Sequence, residues 1–390
     1  MPQPWTKVSP MKLREEFVLK ALEPDVCMAQ LCREYEVSRQ NGYKWLGRFK
    51  SEGVEGLKER SRRPHSSPVA TSGEMVLQIL ELRESYGWGP KKLKRVLAKR
   101  LKGTGTEAPR VRTIARILER TGAIKKRRQR RPSGVPAAGA PQPTVNEPND
   151  LWTVDFKGWW RASNGGRCEP LTVRDAHSRF VLRVAVLESP KVEGVRREFE
   201  RLFEKYGLPK AILSDNGNPF ACTRALACLT ELSAWWVSLG IVVIHSRPGC
   251  PQDNGGHERI HVDMLPLQER SAPNREAQQV LCDQWQHEFN HIRPHEALQM
   301  RTPAEVYKRS SRRLPAVVTA SYLKGAILRR VVRTGCFSWK GRPIFLSRAL
   351  RNQTVAIICG TDGRAKIMFH HVVVGEFDFE NGTEVNPISG

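Results

Sequence analysis

Apolar side chains recur at helical spacing through the first third of the chain. Residues 11–21 and 25–35 each show this period, and a third run begins at Ser38 and continues to about Lys50. Ser38 suits an N-cap, because its hydroxyl can accept a hydrogen bond from a backbone N–H of the first helical turn. Residues 1–63 are therefore predicted to form two helices, a short turn and a third helix, the plan of a helix-turn-helix module.

The same plan recurs after a polar break at residues 59–72. Helical patterns cover residues 74–85, 91–101 and 110–120, and Gly87-Trp88-Gly89-Pro90 is a turn between the first two. Residues 72–124 are therefore predicted to be a second helix-turn-helix module, similar to the first in plan though not in residues. Two modules in tandem would read a longer site than one module alone.

The pattern changes at Leu151 to apolar strands that alternate with amphipathic helices. Strands are predicted at residues 152–156, 171–175, 180–187, 211–214 and 241–245, and helices at 192–206, 223–239 and from Asp253 onward. This order is that of a ribonuclease H-like α/β domain, predicted over residues 149–312. In that layout the first and fourth strands lie side by side.

The last part of the chain alternates over short segments. Strands are predicted at residues 326–332, 337–339, 343–346, 354–359, 366–369 and 372–377, with glycines at several turns. Short strands at this spacing indicate a small all-β SH3-like barrel over residues 320–390. Such a domain could bind DNA or a neighbouring subunit, and the sequence leaves that choice open.

Charge adds a partner to this picture. The chain has a net charge of +24, and residues 1–131 hold 31 Lys and Arg against 14 Asp and Glu. A positive charge so concentrated favours a polyanion, DNA or RNA. The basic run Lys125–Arg131 and the Pro-rich stretch after it predict a linker over residues 125–148 that lies along phosphates.

Two further properties of the sequence bear on the cellular compartment and on the state of the cysteines. No stretch of about 18 apolar residues and no signal-peptide pattern occurs, so we expect an intracellular protein without a membrane partner. The nine cysteines contain no C-x-x-C pair. We expect reduced, mostly buried thiols, and neither a disulfide framework nor a zinc knuckle.

The helices that end the two modules carry basic, amide and aromatic side chains, which suit contacts with base edges and phosphates. A three-helix bundle with a basic, solvated face is the alternative for the first module. The candidate DNA-binding residues are Arg39, Gln40, Tyr43, Lys44 and Arg48 in the first module, Arg110, Arg112 and Thr113 in the second, and Lys125, Lys126, Arg127 and Arg128 in the linker.

Three carboxylates stand where predicted elements meet a polar turn. Asp155 lies near the end of the first strand, Asp215 follows the fourth, and Glu258 lies in the first turns of the helix after the glycine-rich loop 249–256. If they converge, their oxygens can hold hard divalent cations. An ordinary turn, a strand-end charge and a helix N-terminal charge are the alternatives for the three acids.

Glu258 also belongs to the run His257-Glu258-Arg259-Ile260-His261, which matches the H-E-x-x-H pattern of zinc peptidases. The extended form of that pattern requires glycine and histidine where this chain has Met264 and Leu267. A zinc site therefore lacks its expected third ligand, although later glutamates such as Glu276 and Glu288 keep the option open. A solvated helix face without chemistry is a second alternative.

The order of these motifs resembles that of a known family. Trp152-Thr153-Val154-Asp155, Leu213-Ser214-Asp215-Asn216-Gly217 and Pro251-Gln252-x-Asn254-Gly255-x-x-Glu258-Arg259-x-His261 are similar to the catalytic core of bacterial insertion-sequence transposases in the retroviral-integrase superfamily. Phe289-Asn290-x-x-Arg293-Pro294-His295-x-x-Leu298 and Thr302-Pro303-x-x-x-Tyr307 are similar to the tail of that core. Helix-turn-helix modules ahead of the core and a β-rich tail are also usual in the bacterial members.

This resemblance implies a DDE-type DNA transposase in which Asp155, Asp215 and Glu258 are the catalytic metal ligands. It implies two Mg²⁺ or Mn²⁺ ions per active site, with water and then a 3′-hydroxyl as nucleophile. The expected partners are double-stranded DNA, as element terminal inverted repeats and target DNA, and further copies of the chain, in a dimer or tetramer on paired ends. The expected location is the bacterial cytoplasm, in association with the nucleoid. A transposase-derived DNA-binding regulator without catalysis is the alternative function.

The sequence departs from the family pattern in two places. The interval from Asp215 to Glu258 is longer than in retroviral integrases and includes Trp235-Trp236. Basic residues are often found near the glutamate in the family, but here Gly256, Val262 and Leu265 occupy the usual positions. The second departure weakens the expectation that this helix contacts DNA.

Overall fold

The computed structural model describes residues 9–60, 71–124, 144–222, 225–247, 254–320, 322–360, 363–378 and 385–386. The chain divides into two compact units, Met1–Ser72 and Gly73–Gly390. This division separates the first helical module from the rest, and the finer domain boundaries remain predictions.

The described residues of the first unit form three α-helices, α1 (Pro10–Ala21), α2 (Met28–Glu34) and α3 (Arg39–Glu52), and a 3-10 turn at Gly53–Leu57. Ser38 caps α3, since its hydroxyl accepts a hydrogen bond from the Asn41 N–H at 3.2 Å, as predicted. The helices pack around the buried side chains Phe17, Val18, Leu31, Cys32, Trp45, Leu46 and Leu57. Gly42 permits this approach, because a Cβ there would lie 2.7 Å from Cys32 Sγ.

The second unit begins with another three helices, α4 (Gly73–Tyr86), α5 (Pro90–Arg100) and α6 (Val111–Arg120). Their shared core contains Met75, Ile79, Leu82, Trp88, Leu93, Val96, Leu97, Ile114, Ile117 and Leu118. Ile292, from the region after the central sheet, packs against the same core. Lys91 Nζ on α5 also lies 2.8 Å from Glu296 Oε2. The second helical module is therefore in contact with the α/β region.

A six-stranded sheet organises the middle of the chain. Its strands are β1 (Leu151–Phe156), β2 (Trp160–Arg161), β3 (Arg167–Asp175), β4 (Val181–Leu187), β5 (Ala211–Ser214) and β6 (Val242–His245). The order is β2-β3-β1-β5-β6, and β4 also pairs with β3. β1 is antiparallel to β3 and parallel to β5. The predicted adjacency of the first and fourth long strands is confirmed.

Helices cover both faces of this sheet. Apolar side chains of β1, β3 and β4 project from both faces, and each face is buried against helices. On one face, α7 (Val192–Tyr206) and α8 (Glu231–Ser238) share a core with Trp152, Val154 and Val173. On the other, α9 (Gly255–Asp263), α10 (Leu265–Glu269) and α11 (Arg275–His287) share a core with Val181 and Val184.

The predicted helix at residues 223–239 is shorter than expected. Ala227 and Cys228 have positive φ angles of 50° and 54°, which interrupt a helix, and α8 begins only after Thr230. The Thr230 hydroxyl accepts from the Ser233 N–H, and the Ser233 hydroxyl accepts from the Thr230 N–H, which forms a capping box. The apolar residues before Thr230 favoured a longer helix. The capping box at Thr230 instead makes this residue the N-terminal boundary of α8.

The C-terminal region is all-β. It contains β7 (Ile327–Arg330), β8 (Cys336–Trp339), β9 (Arg342–Phe345), β10 (Thr354–Cys359), β11 (Arg364–Phe369) and β12 (Val372–Asp378). A four-stranded antiparallel sheet has the order β12-β11-β10-β7, and β8 and β9 form a separate hairpin. Among the described residues these two sheets do not close into a barrel, so the expected SH3-like barrel is not confirmed.

The cysteines depart from expectation in burial. The eight that the structure describes are free thiols, and of these only Cys32, Cys168 and Cys282 are buried. The expectation of free thiols holds for these eight, but the expectation that most are buried is wrong. The reason is local, since Cys27, Cys222 and Cys359 lie at turns or element ends.

Candidate functional site

The parallel pairing of β1 with β5 brings two of the predicted carboxylates to the same edge of the sheet. In this register Thr153 pairs with Leu213, and two residues farther along each segment stand Asp155 and Asp215. Asp155 is half-buried within β1, and Asp215 is exposed immediately after β5. The carboxyl ends of adjacent parallel strands meet at one edge, so both side chains belong to one polar corner.

The electrostatics of this corner link all three acids. Burial, together with the negative charges of Asp215 and Glu258, raises the pKa of Asp155 to about 7. Desolvation also raises the pKa of Asp215, while a backbone hydrogen bond from Gly217 and the nearby His245 oppose the rise. The Asp155 carboxyl therefore experiences the charges of the other two acids.

Glu258 lies on the exposed side of α9, in its first turn. The opposite side of α9 is anchored, since Ile260 and Met264 pack in the core against β4. Residues 248–253, which precede this helix in the sequence, lie outside the described residues. Helical periodicity thus directs Glu258 away from the core, and its charge contributes to the raised pKa of Asp155.

Two histidines hold α9 against β3. His257 is fully buried, and its Nε2 donates to the Thr172 carbonyl oxygen at 3.2 Å. His261 Nε2 lies 3.0 Å from Thr172 Oγ1. Burial lowers the pKa of His257 well below its usual value and that of His261 to about 4, so both rings are neutral at pH 7.

These contacts bear on the zinc-peptidase alternative. His257 Nδ1 also lies within hydrogen-bond distance of the Asn254 side-chain amide, so both ring nitrogens have protein partners. In the part of the chain that the structure describes, no group of three or more His, Cys, Asp or Glu side chains is arranged to hold a metal ion, and this applies to Asp155, Asp215 and Glu258 as well as to the histidines. The histidines of the H-E-x-x-H run act here as structural anchors.

Thr172 is a residue that the sequence analysis missed. It pairs with Asp155 across β3 and β1, and its hydroxyl donates to the Asp155 carbonyl oxygen at 2.9 Å. The same residue is hydrogen-bonded to both histidines of α9. It therefore connects the strand that carries Asp155 to the helix that carries Glu258. Strand alternation places it on the helix-covered face, but its three partners follow from tertiary structure alone.

The first module exposes most of its predicted DNA-binding residues. Arg39, Gln40, Tyr43 and Lys44 are exposed on α3, and Tyr43 retains 58% of its accessible surface. Arg48 is half-buried, with its guanidinium 5.1 Å from the centre of the Trp45 ring. Lys44 Nζ lies 4.8 Å from the same ring, so aromatic contact restricts Lys44 and Arg48 more than Arg39, Gln40 and Tyr43.

The second module presents a comparable basic face. Arg110 precedes α6 as its N-cap residue and is exposed, Arg112 is exposed, and Thr113 is half-buried. Ile114, Ile117 and Leu118 point into the core. Lys125, Lys126, Arg127 and Arg128 lie outside the described residues, so their DNA contacts stay a prediction.

Family profiles match most of this architecture. A helix-turn-helix domain matches residues 13–65, and a Homeodomain-like domain matches residues 41–118. Integrase core domains match residues 145–251 and 239–303. Asp155 and Asp215 fall within the first integrase match, and Glu258 falls within the second.

Two insertion-element proteins are similar in sequence. The uncharacterized 31.7 kDa protein of insertion element IS407 from Burkholderia multivorans is 28% identical over 203 residues, which cover 52% of this chain and 70% of that protein. The uncharacterized 39.2 kDa protein of insertion element IS476 from Xanthomonas euvesicatoria is 30% identical over 161 residues. That match covers 40% of this chain and 44% of the relative, so the chain spans less than half of the second protein's length.

Solved structures are more distant. The HTLV-2 integrase catalytic core domain in complex with magnesium is 15% identical, with a TM-score of 0.32 and coverage of 41% of this chain and 97% of that chain. The simian T-cell lymphotropic virus intasome in complex with a PP2A regulatory subunit is 17% identical, with a TM-score of 0.37 and coverage of 74% and 91%.

No helix within the described residues is both long enough and apolar enough to cross a bilayer. The integrase core domains, the helix-turn-helix domains and the two insertion-element relatives agree with the resemblance seen in the motifs. The chain therefore contains matches to helix-turn-helix domains and to an integrase core domain, and it is similar to proteins of insertion elements.

Proposed function

We propose that this protein is a DDE-type DNA transposase, which binds the ends of a mobile element, cleaves the DNA to free 3′-hydroxyl groups and joins them to target DNA. One observation carries the proposal: the parallel pairing of β1 with β5 brings Asp155 and Asp215 to the same edge of the sheet, where the charge of Glu258 also acts on Asp155. The integrase core domains and the insertion-element relatives support the same activity.

The donor set fits a hard divalent cation. Carboxylate oxygens are the ligands that Mg²⁺ and Mn²⁺ prefer, and a bound cation would offset the burial and the mutual repulsion that raise the pKa of Asp155. Asp155, Asp215 and Glu258 would hold two such ions. When bound, divalent ions activate the attacking oxygen and stabilise the leaving oxygen in phosphoryl transfer.

The rest of the chain positions these acids and the DNA. Thr172, His257 and His261 keep α9 against β3, so that Glu258 stays beside the strand of Asp155. The exposed basic faces of α3 and α6 would bind double-stranded DNA at the element ends. A dimer or tetramer of the chain would bring two ends together. No serine or tyrosine nucleophile is part of the proposal.

Substitution of the acids tests the assignment. In Asp155→Asn, Asp215→Asn and Glu258→Gln, we expect strand cleavage and joining to fall by roughly a thousandfold or more, because each change removes a metal ligand. Binding to element ends should persist, since the helical modules are untouched. The measurement is a gel assay of cleavage and joining with Mg²⁺ or Mn²⁺, beside an equilibrium binding titration.

Glu269→Gln is the matched control, because Glu269 is an exposed carboxylate at the end of α10. It should retain activity. Normal strand transfer by any of the three acid variants would contradict the assignment. Specific DNA binding by the unaltered protein without cleavage under either metal would favour the alternative of a DNA-binding regulator.

A further inference from the structure

A basic cleft lies where the second helical module meets the α/β region. Its volume is about 570 Å³, and it is lined by side chains from α5, from β3 and the turn after it, from α9 and from the segment after α11. The cations around it are Lys92, Arg174, Arg179, Arg259 and Arg293. They come from separate parts of the chain, so the sequence shows no basic run here.

The positive charge of the cleft is only partly compensated. The two carboxylates in its wall are already engaged, because Asp263 lies 2.9 Å from Arg293 and Glu296 lies 2.8 Å from Lys91. Among the ion pairs between described residues, none involves Lys92, Arg174, Arg179 or Arg259. Four of the five cations are thus held close together without an ion-paired carboxylate, which costs free energy unless an anion joins them.

Two buried nitrogen atoms in the same wall have no hydrogen-bond partner. They are Nε of Arg293 and Nε2 of His295, and His295 retains only 8% of its accessible surface. An unpaired buried polar atom is unfavourable, so each of the two adds to the cost of packing the cationic wall. Both residues line the cleft, but the two nitrogen atoms themselves are buried beneath its surface.

The lowered pKa values of two lining residues agree with a strong positive electrostatic potential in the cleft. Burial and the neighbouring Arg293 and Arg259 lower the pKa of Lys92 to about 8, while Asp263 and Glu296 oppose this. Burial and the charges of Arg293, Lys92 and Arg179 lower the pKa of His295 to about 3. The N-terminus of α9, at Gly255 and Gly256, also borders the cleft and adds backbone N–H groups.

We propose that this cleft binds a phosphodiester group of the DNA backbone, between the second helix-turn-helix module and the helix that carries Glu258. The inference rests on the proposed function for the identity of the anion. Several guanidinium groups suit a phosphate, because their planar N–H donors match its oxygens. Lys92 belongs to the second helix-turn-helix module, and Arg259 follows Glu258 on α9. A DNA strand whose phosphate is bound here would therefore contact both that module and the helix that carries Glu258.

The test uses the full chain in EDTA, where strand chemistry is blocked but binding is not. The variant is Arg179→Ala/Arg259→Ala, which removes two exposed cations of the cleft wall. Affinity for a mixed-sequence duplex is measured at several salt concentrations. We expect the slope of log K against log[salt] to flatten by roughly 0.9 for each phosphate that the variant no longer neutralises, with a parallel decrease in affinity for a cognate element end.

Arg197→Ala is the matched control, because Arg197 is an exposed arginine on α7 outside the cleft, where its Nε donates to the Glu193 carbonyl oxygen. It should leave the slope unchanged. Inorganic pyrophosphate provides a second probe in the same titration, since a free anion offers the same chemistry as the DNA backbone. Competition between pyrophosphate and duplex in the unaltered protein, weakened in the double variant, supports the inference.

Three results would overturn the inference. An unchanged slope and affinity in the double variant would show that DNA does not occupy the cleft, and would leave the transposase proposal intact. Pyrophosphate binding that depends on Arg179 and Arg259 without any effect on DNA would assign the cleft to a free anion. Absence of duplex binding by the unaltered protein would instead contradict the proposed function, on which the inference rests.

Discussion

At the scale of single residues, Gly256 shows how closely α9 approaches the sheet. A Cβ at this position would overlap the guanidinium of Arg174. That guanidinium donates to Thr153 Oγ1 at 3.1 Å and to the Gly256 carbonyl oxygen at 3.1 Å. Gly255, one residue earlier, has no atom within 4 Å of its corresponding Cβ position. The two adjacent glycines therefore differ in what a methyl group would displace.

We expect Gly256→Ala to destabilise the protein by about 1–3 kcal/mol, because Arg174 must leave its hydrogen bonds while it stays partly buried. Gly255→Ala should change stability little, since alanine favours helix and meets no neighbour there. Chemical denaturation of both variants measures the difference. Equal stability of the two variants would show that Arg174 moves aside without cost.

At the scale of elements, α3 combines a buried and an exposed face. Gly42, Trp45 and Leu46 are buried, while Arg39 and Gln40 are exposed in the first turn after the Ser38 cap. In a helix-turn-helix module, side chains at the start of the last helix reach base edges. The cap determines where the helix begins, and so which side chains occupy that first turn.

Replacing Arg39 or Gln40 with alanine should weaken binding to the cognate element end by about 1–3 kcal/mol and scarcely change affinity for random DNA. Titrations on cognate and scrambled duplexes measure both affinities. Lys12→Ala removes an exposed cation from α1 and serves as the control. Any decrease in affinity that it causes should be the same for both duplexes. Equal decreases on both duplexes for the α3 variants would place sequence recognition elsewhere.

At the scale of the whole molecule, the first unit, Met1–Ser72, forms a hydrophobic core from its own residues. The second helical module behaves differently, since Ile292 from the α/β region packs against its core and Lys91 pairs with Glu296. The two modules are therefore alike in plan but not in dependence on the rest of the chain.

A truncated chain of residues 73–390 should keep a cooperative unfolding transition close to that of the full protein, and should lose most of its preference for the cognate end. Circular dichroism melts and duplex titrations test this. A chain that starts at residue 87 is the control, because it lacks Ile79 and Leu82 of the second module's core and should be less stable. Aggregation of the 73–390 chain would contradict the independence of the first unit.

Local sequence determined much of this protein. Helical spacing and the Ser38 cap located α1 to α6, and alternation located the strands, because these signals depend on neighbours within a few residues. The order of elements indicated that β1 and β5 pair, and the family motifs singled out Asp155, Asp215 and Glu258. The prediction of one continuous helix over residues 223–239 was wrong, because apolar periodicity could not show the interruption at Ala227 and Cys228.

Tertiary structure decided what distant residues do together. The sequence allowed His257 and His261 to be zinc ligands, but their hydrogen bonds to Thr172, which lies 85 and 89 residues away, make them anchors of α9. The basic cleft joins Lys92 to Arg174 and Arg293 across the chain, and the C-terminal strands remain in two separate sheets. Such outcomes depend on long-range packing and on burial, which periodicity and motif spacing do not encode.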